Sequence, residues 1–128
     1  IFGSPVYFAW ANGSMVSLMD RLFYAGKDAF QYKPGACIVS ARRAGTTAAY
    51  DQMNKYLELS QMLMVPSPYW NMVHGNTPEE VRQDKEGLWI MRTLGQNMAW
   101  LLRVLKNAEV QQVARPQELP AQKTNYIR

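Results

Sequence analysis

The sequence has a single cysteine, Cys37, and no long apolar run. A lone thiol cannot form an internal disulfide, which is typical of a reducing compartment, so a cytoplasmic location is expected. No stretch approaches the roughly 20 apolar residues that a transmembrane helix needs. The apolar start contains Gly3 and Pro5 and lacks the basic residues of a signal peptide. We therefore expect no association with a membrane.

A dense basic stripe is also missing. The net charge is +4, and the basic residues are spread along the chain apart from the adjacent Arg42 and Arg43. Proteins that bind nucleic acids concentrate such charge beside an element that reads the bases. We expect no nucleic-acid partner, and an anionic small molecule fits two adjacent arginines better. No grouping of side chains predicts a metal site.

The patterns that are present predict a parallel α/β sheet. The 128 residues, 48% of them hydrophobic, suffice for one domain with a real core. Two continuous apolar runs, 36–39 and 62–65, predict strands that are buried on both faces. Residues 1–8 predict the last part of another strand entering a loop. A strand, a helix and a strand at this spacing form a βαβ unit, whose right-handed crossover favours parallel pairing.

Helical spacing of apolar residues predicts the segments between and after these strands. Helices are expected over 15–24 and 47–60, and Ser14 can cap the first of them. A further helix is expected to start at Thr77, and Gly87 to mark a break before a long amphipathic helix.

The start of that third helix carries several signals. Thr77 can cap it, Pro78 suits the first helical position, and Glu80 can complete a capping box. The sequence after Val113 has Pro116 and Pro120 and no helical period, which predicts an extended tail over 113–128.

Chemistry-bearing residues concentrate in three loops that would leave the carboxyl ends of the predicted strands, over 5–14, 40–47 and 66–75. Ligands of open α/β sheets bind outside these ends. The loops hold Tyr7, Phe8, Trp10, Arg42, Arg43, Tyr69, Trp70 and the only histidine, His74.

Motifs in all three loops resemble those of NADPH-dependent FMN reductases and iron–sulfur flavoproteins. The segment after their third strand is similar to Gly3-Ser4-Pro5-Val6-Tyr7-Phe8 with Gly13-Ser14-Met15. The loop after their fourth strand is similar to Ser40-Ala41-Arg42-Arg43-Ala44-Gly45-Thr46-Thr47. The segment after their fifth strand is similar to Tyr69-Trp70-Asn71 through Glu80. The closing Thr124-Asn125-Tyr126-Ile127-Arg128 resembles the end of family members.

The resemblance implies a flavodoxin-like, doubly wound parallel sheet with strand order 2-1-3-4-5. Only the last three strands and their helices are expected here, because the two N-terminal βα units are absent. Residues 1–112 would form the C-terminal portion of an FMN-binding domain, and 113–128 its tail.

The resemblance also implies a cofactor site for FMN, with NAD(P)H as co-substrate. The first loop would run along the edge of the isoalloxazine ring and the second would meet its pyrimidine side, where Arg42 or the amides of Thr46 and Thr47 would stabilise the reduced form. No catalytic acid–base side chain is required, because hydride transfer depends on stacking geometry. The implied cofactor-binding residues are Ser4, Pro5, Val6, Tyr7, Phe8, Ser40, Ala41, Arg42, Arg43, Gly45, Thr46 and Tyr69.

The implied activity is that of an oxidoreductase that passes electrons from NAD(P)H to a quinone, a flavin or another small acceptor. The alternatives are a flavodoxin-like electron carrier served by a protein partner, and an interaction module that has lost the cofactor. The family's phosphate loop is absent from this sequence, so the chain alone is expected to hold FMN weakly. Any cysteine cluster for an iron–sulfur centre would lie upstream.

Simpler interpretations of several residues stay open. Tyr7 and Phe8 could be ordinary core residues. The two arginines could be a solvated pair, or one of them could contact the 2′-phosphate of a nicotinamide nucleotide. His74 could be a loop or interface residue. Cys37 lies in a predicted buried strand, as an inert small hydrophobe. The aromatic load that includes Trp70, Trp89 and Trp100 indicates a subunit interface, so a homodimer or tetramer is expected.

Overall fold

Pairs of strands alternate with helices in the computed structural model, which describes residues 1–122 and Thr124. The strands are β1 (Phe2–Tyr7), β2 (Trp10–Ala11), β3 (Pro34–Gly35), β4 (Cys37–Ala41), β5 (Leu63–Met64) and β6 (Met72–His74). The α-helices are α1 (Gly13–Gly26), α2 (Thr46–Leu59), α3 (Pro78–Val81) and α4 (Lys85–Val110), and a 3₁₀ helix covers Lys27–Phe30. In the part of the chain that the structure describes, no helix has the length and apolarity needed to cross a bilayer.

Parallel pairing of β1, β4 and β6 forms the centre of the sheet. Its strand order is β2-β1-β4-β6, with Ser4 opposite Val39 and Val39 opposite Met72. Only β2 is antiparallel, and it pairs with the last two residues of β1. The predicted α/β architecture with parallel strands is confirmed.

The last strand of the sheet is split in two. β5 pairs with β3, β6 pairs with β4, and Ala36 alone separates β3 from β4. The predicted strand at 62–65 is therefore present, but the expectation of one continuous loop over 66–75 is wrong, because Met72–His74 returns to the sheet. Pro66 and Pro68 lack the N–H groups that a ladder needs, which explains why the chain leaves the sheet between the two pieces.

The buried Asn71 holds the loop that interrupts this strand. Its side-chain Oδ1 accepts a hydrogen bond from Ser67 Oγ at 2.6 Å, and its carbonyl accepts one from Val39 N at 3.0 Å. Its amide also lies 3.5 Å from the Tyr50 hydroxyl. A polar side chain without solvent exposure is stable only with such partners. Asn71 thus ties the loop to β4 and to α2.

Each face of the sheet has its own core. On one face, Met19 and Phe23 of α1 and Met53 and Leu57 of α2 pack on β1, β4 and β6. On the other face, Leu94 of α4 packs with Ala36 and Val65. Burying one such large apolar side chain contributes about 1.5–3 kcal/mol to stability. The helices therefore lie on both faces, as in a doubly wound sheet.

The α4 face of β1 is open to solvent. Side chains alternate along a strand, and Phe2, Ser4 and Val6 point toward α1 and α2, whereas Gly3 and Pro5 are exposed on the other side. Over Phe2–Pro5, the only strand that pairs with β1 among the described residues is β4. One edge of β1 and the α4-facing side of β1 are thus uncovered.

Two helix boundaries differ from the sequence prediction. Asn12, and not Ser14, caps α1, since Asn12 Oδ1 accepts a hydrogen bond from Ser14 N at 2.9 Å. The break near Gly87 comes earlier, and Asp84 caps α4 by accepting from Gly87 N at 2.9 Å. Gly87 lies in the first turn of α4, where a Cβ would be 3.1 Å from Val73 Cα. The absence of a side chain at this position permits α4 to pack closely on β6, and the helix is not interrupted there.

The capping of α3 also differs in one detail from the sequence prediction. Thr77 Oγ1 accepts from Glu80 N as predicted, but the Glu80 carboxylate accepts from Asn76 N at 2.6 Å, one residue before the expected partner. The tail has no helix or strand over 113–122, and Arg115 lies 5.8 Å from the ring centroid of Tyr32. Lys123 and residues 125–128, which carry the family-like ending, lie outside the described residues.

Cys37 is expected to be unreactive in the folded protein. Burial raises the pKa of its thiol to about 12, so almost no thiolate is present near neutral pH. Iodoacetamide at pH 8 should alkylate the chain only after unfolding in urea, as followed by mass spectrometry. Because the unfolded thiol ionises near pH 9 and the folded one near 12, its contribution to stability should fall as the pH rises between these values. The Cys37→Ala variant should lack this component, which is at most about 1.4 kcal/mol per pH unit. Rapid alkylation of the folded chain would contradict the burial.

Candidate functional site

The carboxyl ends of β1, β4 and β6 meet at one edge of the sheet, because the three strands are parallel. The loops that follow them begin at Phe8, Arg42 and Gly75. Gly75 N donates a hydrogen bond to Ala41 O at 3.1 Å, so the third loop starts beside the end of β4. This edge is where open α/β sheets place their ligands.

The first loop is a two-residue hairpin with an unusual backbone. Phe8 and Ala9 both have positive φ values, 51° and 59°, between the paired Tyr7 and Trp10. Such turns favour asparagine and glycine, and residues with side chains are strained there. The Phe8 side chain is fully exposed, and those of Tyr7 and Trp10 are about half exposed. Strained backbone and uncovered aromatic rings at a ligand edge are both features of functional loops.

Gly45 brings the second loop against this hairpin. Its φ is +99°, in the left-handed region, and a Cβ built on it would lie 2.8 Å from Ala9 Cα and 3.2 Å from Val6 Cγ1. A glycine is therefore needed both for the backbone conformation and for the close approach. The two predicted loops touch each other.

The N-terminus of α2, which follows Gly45, has no side-chain cap. In the described part of the chain, α1, α3 and α4 each begin with a side chain that accepts a backbone N–H, whereas α2 has no such bond. The first N–H groups of α2 are therefore free of a capping side chain, and the helix dipole adds partial positive charge. Arg42 and Arg43 are both exposed just before these N–H groups. An anionic group would be stabilised at this position.

Ser4 stabilises the fold and is not accessible to a ligand. It is buried, and its Oγ accepts a hydrogen bond from Asn12 N at 2.7 Å and donates one to Pro5 O at 2.8 Å. The hydroxyl thus joins β1 to the start of α1 and fixes the base of the hairpin. Its partners are internal, so Ser4 positions the loop.

The structure brings eleven of the twelve residues implied as cofactor-binding to this edge or directly beneath it. Pro5 is exposed, Val6 packs under Gly45, Ser40 and Ala41 end β4, and Thr46 is the buried first residue of α2. The twelfth, Tyr69, lies in the loop that interrupts the last strand, at the outer edge of the sheet.

Tyr69 belongs to a different surface from the hairpin. Its ring packs edge-to-face on Trp70 with 4.7 Å between centroids, and it lines a cavity of about 150 Å³ with His74, Asp84 and Ile90. His74 contributes its backbone there, since its N–H donates to Asp84 Oδ2 at 2.7 Å. The strand β4 separates this surface from β1.

Two residues of the site escaped the sequence interpretation. Ala9 forms the surface on which Gly45 packs, and Gln52 Oε1 accepts a hydrogen bond from Ala11 N at 3.2 Å, which ties β2 to α2. The sequence carries no sign of the hairpin, because the turn lacks glycine and asparagine at its centre.

Comparisons with known proteins agree with this geometry. A family model described as NADPH-dependent FMN reductase matches residues 1–77, from β1 to the N-cap of α3. An iron–sulfur flavoprotein from Methanocaldococcus jannaschii is 28% identical over 114 residues, which cover 83% of this chain and 59% of that relative. The chain thus spans 59% of the relative's length. Since the matching model covers more than half of the chain, the chain belongs to the flavodoxin-like NADPH-dependent FMN reductase family.

Proposed function

We propose that this chain is the C-terminal part of an FMN-dependent oxidoreductase that takes hydride from NAD(P)H and passes electrons to a quinone, a flavin or another small acceptor. One observation carries the proposal: Gly45 joins a strained aromatic hairpin to the uncapped, arginine-flanked N-terminus of α2. Family membership over residues 1–77 supports it, because this match includes both loops. A bound FMN would supply the redox chemistry, and the residues of this chain would hold its ring.

The residues at the edge fit a flavin. The ring is flat and partly apolar with a polar rim, so it suits exposed aromatic side chains and backbone donors on small-residue loops. Tyr7 and Phe8 provide the apolar contact, and the amides of Thr46 and Thr47 with Arg42 provide positive charge. Charge of this sign stabilises the anionic reduced ring and raises its potential. These residues would bind and orient the ring, and hydride transfer to it requires no acid–base side chain.

The remaining properties are proposed on the same basis. Residues 1–112 would form the cofactor-binding portion and 113–128 its tail, in a cytoplasmic homodimer or homotetramer. Cys37 is fully buried, so the ligands of any iron–sulfur cluster would come from outside this chain.

Titration of FMN into the protein of the complete reading frame tests the proposal. We expect saturable quenching of flavin fluorescence, and anaerobic bleaching of the bound flavin by NADPH or NADH. The double variant Arg42→Glu/Arg43→Glu should weaken FMN binding at least about tenfold, since it removes the positive charge beside α2 and replaces it with negative charge. The charge reversal Arg103→Glu on α4 should leave FMN binding unchanged.

Two outcomes would change the conclusion. A correctly folded full-length protein that does not bind FMN would contradict the proposed function. Binding of FMN without reduction by either nicotinamide would favour the electron carrier that a protein partner reduces.

A further inference from the structure

The outer surface of α1 and α2 carries an apolar groove that the cofactor site does not use. Two cavities, of about 410 and 340 Å³, adjoin each other, because both are lined by Tyr56 and Leu59, and we call the pair a groove. Trp10 lies at one end of it and Tyr24 at the other. Leu59 is 76% exposed and Tyr24 94% exposed. Exposed apolar side chains that lie together in a groove are candidates for an interaction site.

One straight face of α2 forms the floor of the larger cavity. The α2 residues that line it recur at i, i+3, i+4, i+7, i+8 and i+11, and they are Ala48, Asp51, Gln52, Lys55, Tyr56 and Leu59. This spacing places them along one side of the helix, over about 16 Å. The opposite side of α2 is the buried side, with Met53 and Leu57 in the core. The face is thus a regular, rigid surface.

The charges on this face are arranged to complement a second copy. Asp51 and Lys55 lie one turn apart, both are exposed, and neither forms an ion pair within residues 1–122. If two copies of α2 pack antiparallel about a two-fold axis near residue 53, Asp51 of each copy faces Lys55 of the other. An isologous interface requires a surface that complements itself in this way.

We propose that this face of α2, with Trp10 and Leu59, is the contact through which two copies of the protein associate. The inference rests on the homo-oligomer in the proposed function and names its surface. The second copy would cover the exposed aromatic rings and Leu59, and aromatic residues are enriched at such interfaces.

The contact would also act on the cofactor loops. Trp10 belongs to the hairpin that carries Phe8, and Gln52 on the same face of α2 accepts the hydrogen bond from Ala11 N. A partner seated on Trp10 and α2 together holds the hairpin in place. Association would therefore order the loop that meets the flavin.

Charge reversal in the full-length protein tests the surface. Light scattering after size exclusion should show a dimer dissociation constant at least about tenfold higher for Asp51→Lys and for Lys55→Asp. In each variant, residues 51 and 55 of the two copies carry the same charge, and this like-charge pair occurs twice in the interface. An equimolar mixture of the two variants should restore the dimer, because the two lysines of one variant then face the two aspartates of the other. The control Arg92→Glu, on α4, should associate as the wild type does.

The outcomes separate the surface from the proposed function. If the single variants associate as strongly as the wild type, or if the mixture stays dissociated, the proposed interface is wrong. The proposals of a homo-oligomer and of FMN binding would not be affected. A monomeric wild type that still binds FMN would overturn the oligomer and its surface. Circular dichroism spectra that match the wild type show that each of the three variants has folded.

Discussion

The Gly45→Ala variant is expected to lose about 2–4 kcal/mol of unfolding free energy, because the added methyl group meets both a conformational and a steric penalty. A φ of +99° costs a residue with a side chain about 1–3 kcal/mol. The new Cβ would also lie 2.8 Å from Ala9 Cα, a backbone atom that cannot rotate away. Urea unfolding followed by circular dichroism measures the change.

Gly95→Ala is the matched control. Gly95 lies in α4 with open space around it, so the added methyl should stabilise the helix by about 0.5–1 kcal/mol. In the full-length protein, Gly45→Ala should also weaken FMN binding at least about tenfold, because it separates the hairpin from α2. Equal stability of the two variants would show that the loops do not need their close contact.

The Asn71→Ala variant is expected to cost about 2–3 kcal/mol of unfolding free energy, because it removes a fully buried side chain together with its hydrogen bond to Ser67. Asn71 is fully buried, and its removal deprives the Ser67 hydroxyl, and the Tyr50 hydroxyl near it, of their buried partner. Amide hydrogen exchange should accelerate over 66–71, because the loop loses the side chain that ties it to the core.

Asn107→Ala provides the comparison for Asn71. Asn107 is exposed in α4, so its truncation should change the unfolding free energy by no more than about 0.5 kcal/mol. A similar small effect at Asn71, with unchanged exchange over 66–71, would mean that the loop is held by other contacts.

The sequence predicted the elements that rest on periodicity. Continuous apolar runs at 36–39 and 62–65 identified strands, since a strand buried on both faces has no polar alternation. Helical spacing likewise located α1, α2 and α4 to within a few residues. The approach of the first two loops followed from parallel pairing, which places strand ends at one edge.

The features that sequence reasoning missed depend on contacts between distant residues. The hairpin at Phe8 and Ala9 has a turn conformation that its residues do not favour, so local preference predicted a plain loop. The return of Met72–His74 to the sheet depends on Asn71, whose burial only the packed fold reveals. Gly87 was taken for a break, although it permits the approach of α4 to β6.

The uncovered edge of β1 has a consequence for the chain in isolation. The backbone groups of Phe2–Pro5 on the side away from β4 form a template for strands of other molecules. β6, at the other end of the strand order, has β4 as its one paired neighbour within the described residues and forms a second template. Because the sheet has two such edges, copies can pair from one to the next, and a concentrated solution of the chain alone is expected to aggregate. An added strand from a longer parent protein would limit that aggregation by occupying the β1 edge, which makes clarity of the solution a simple readout of strand complementation.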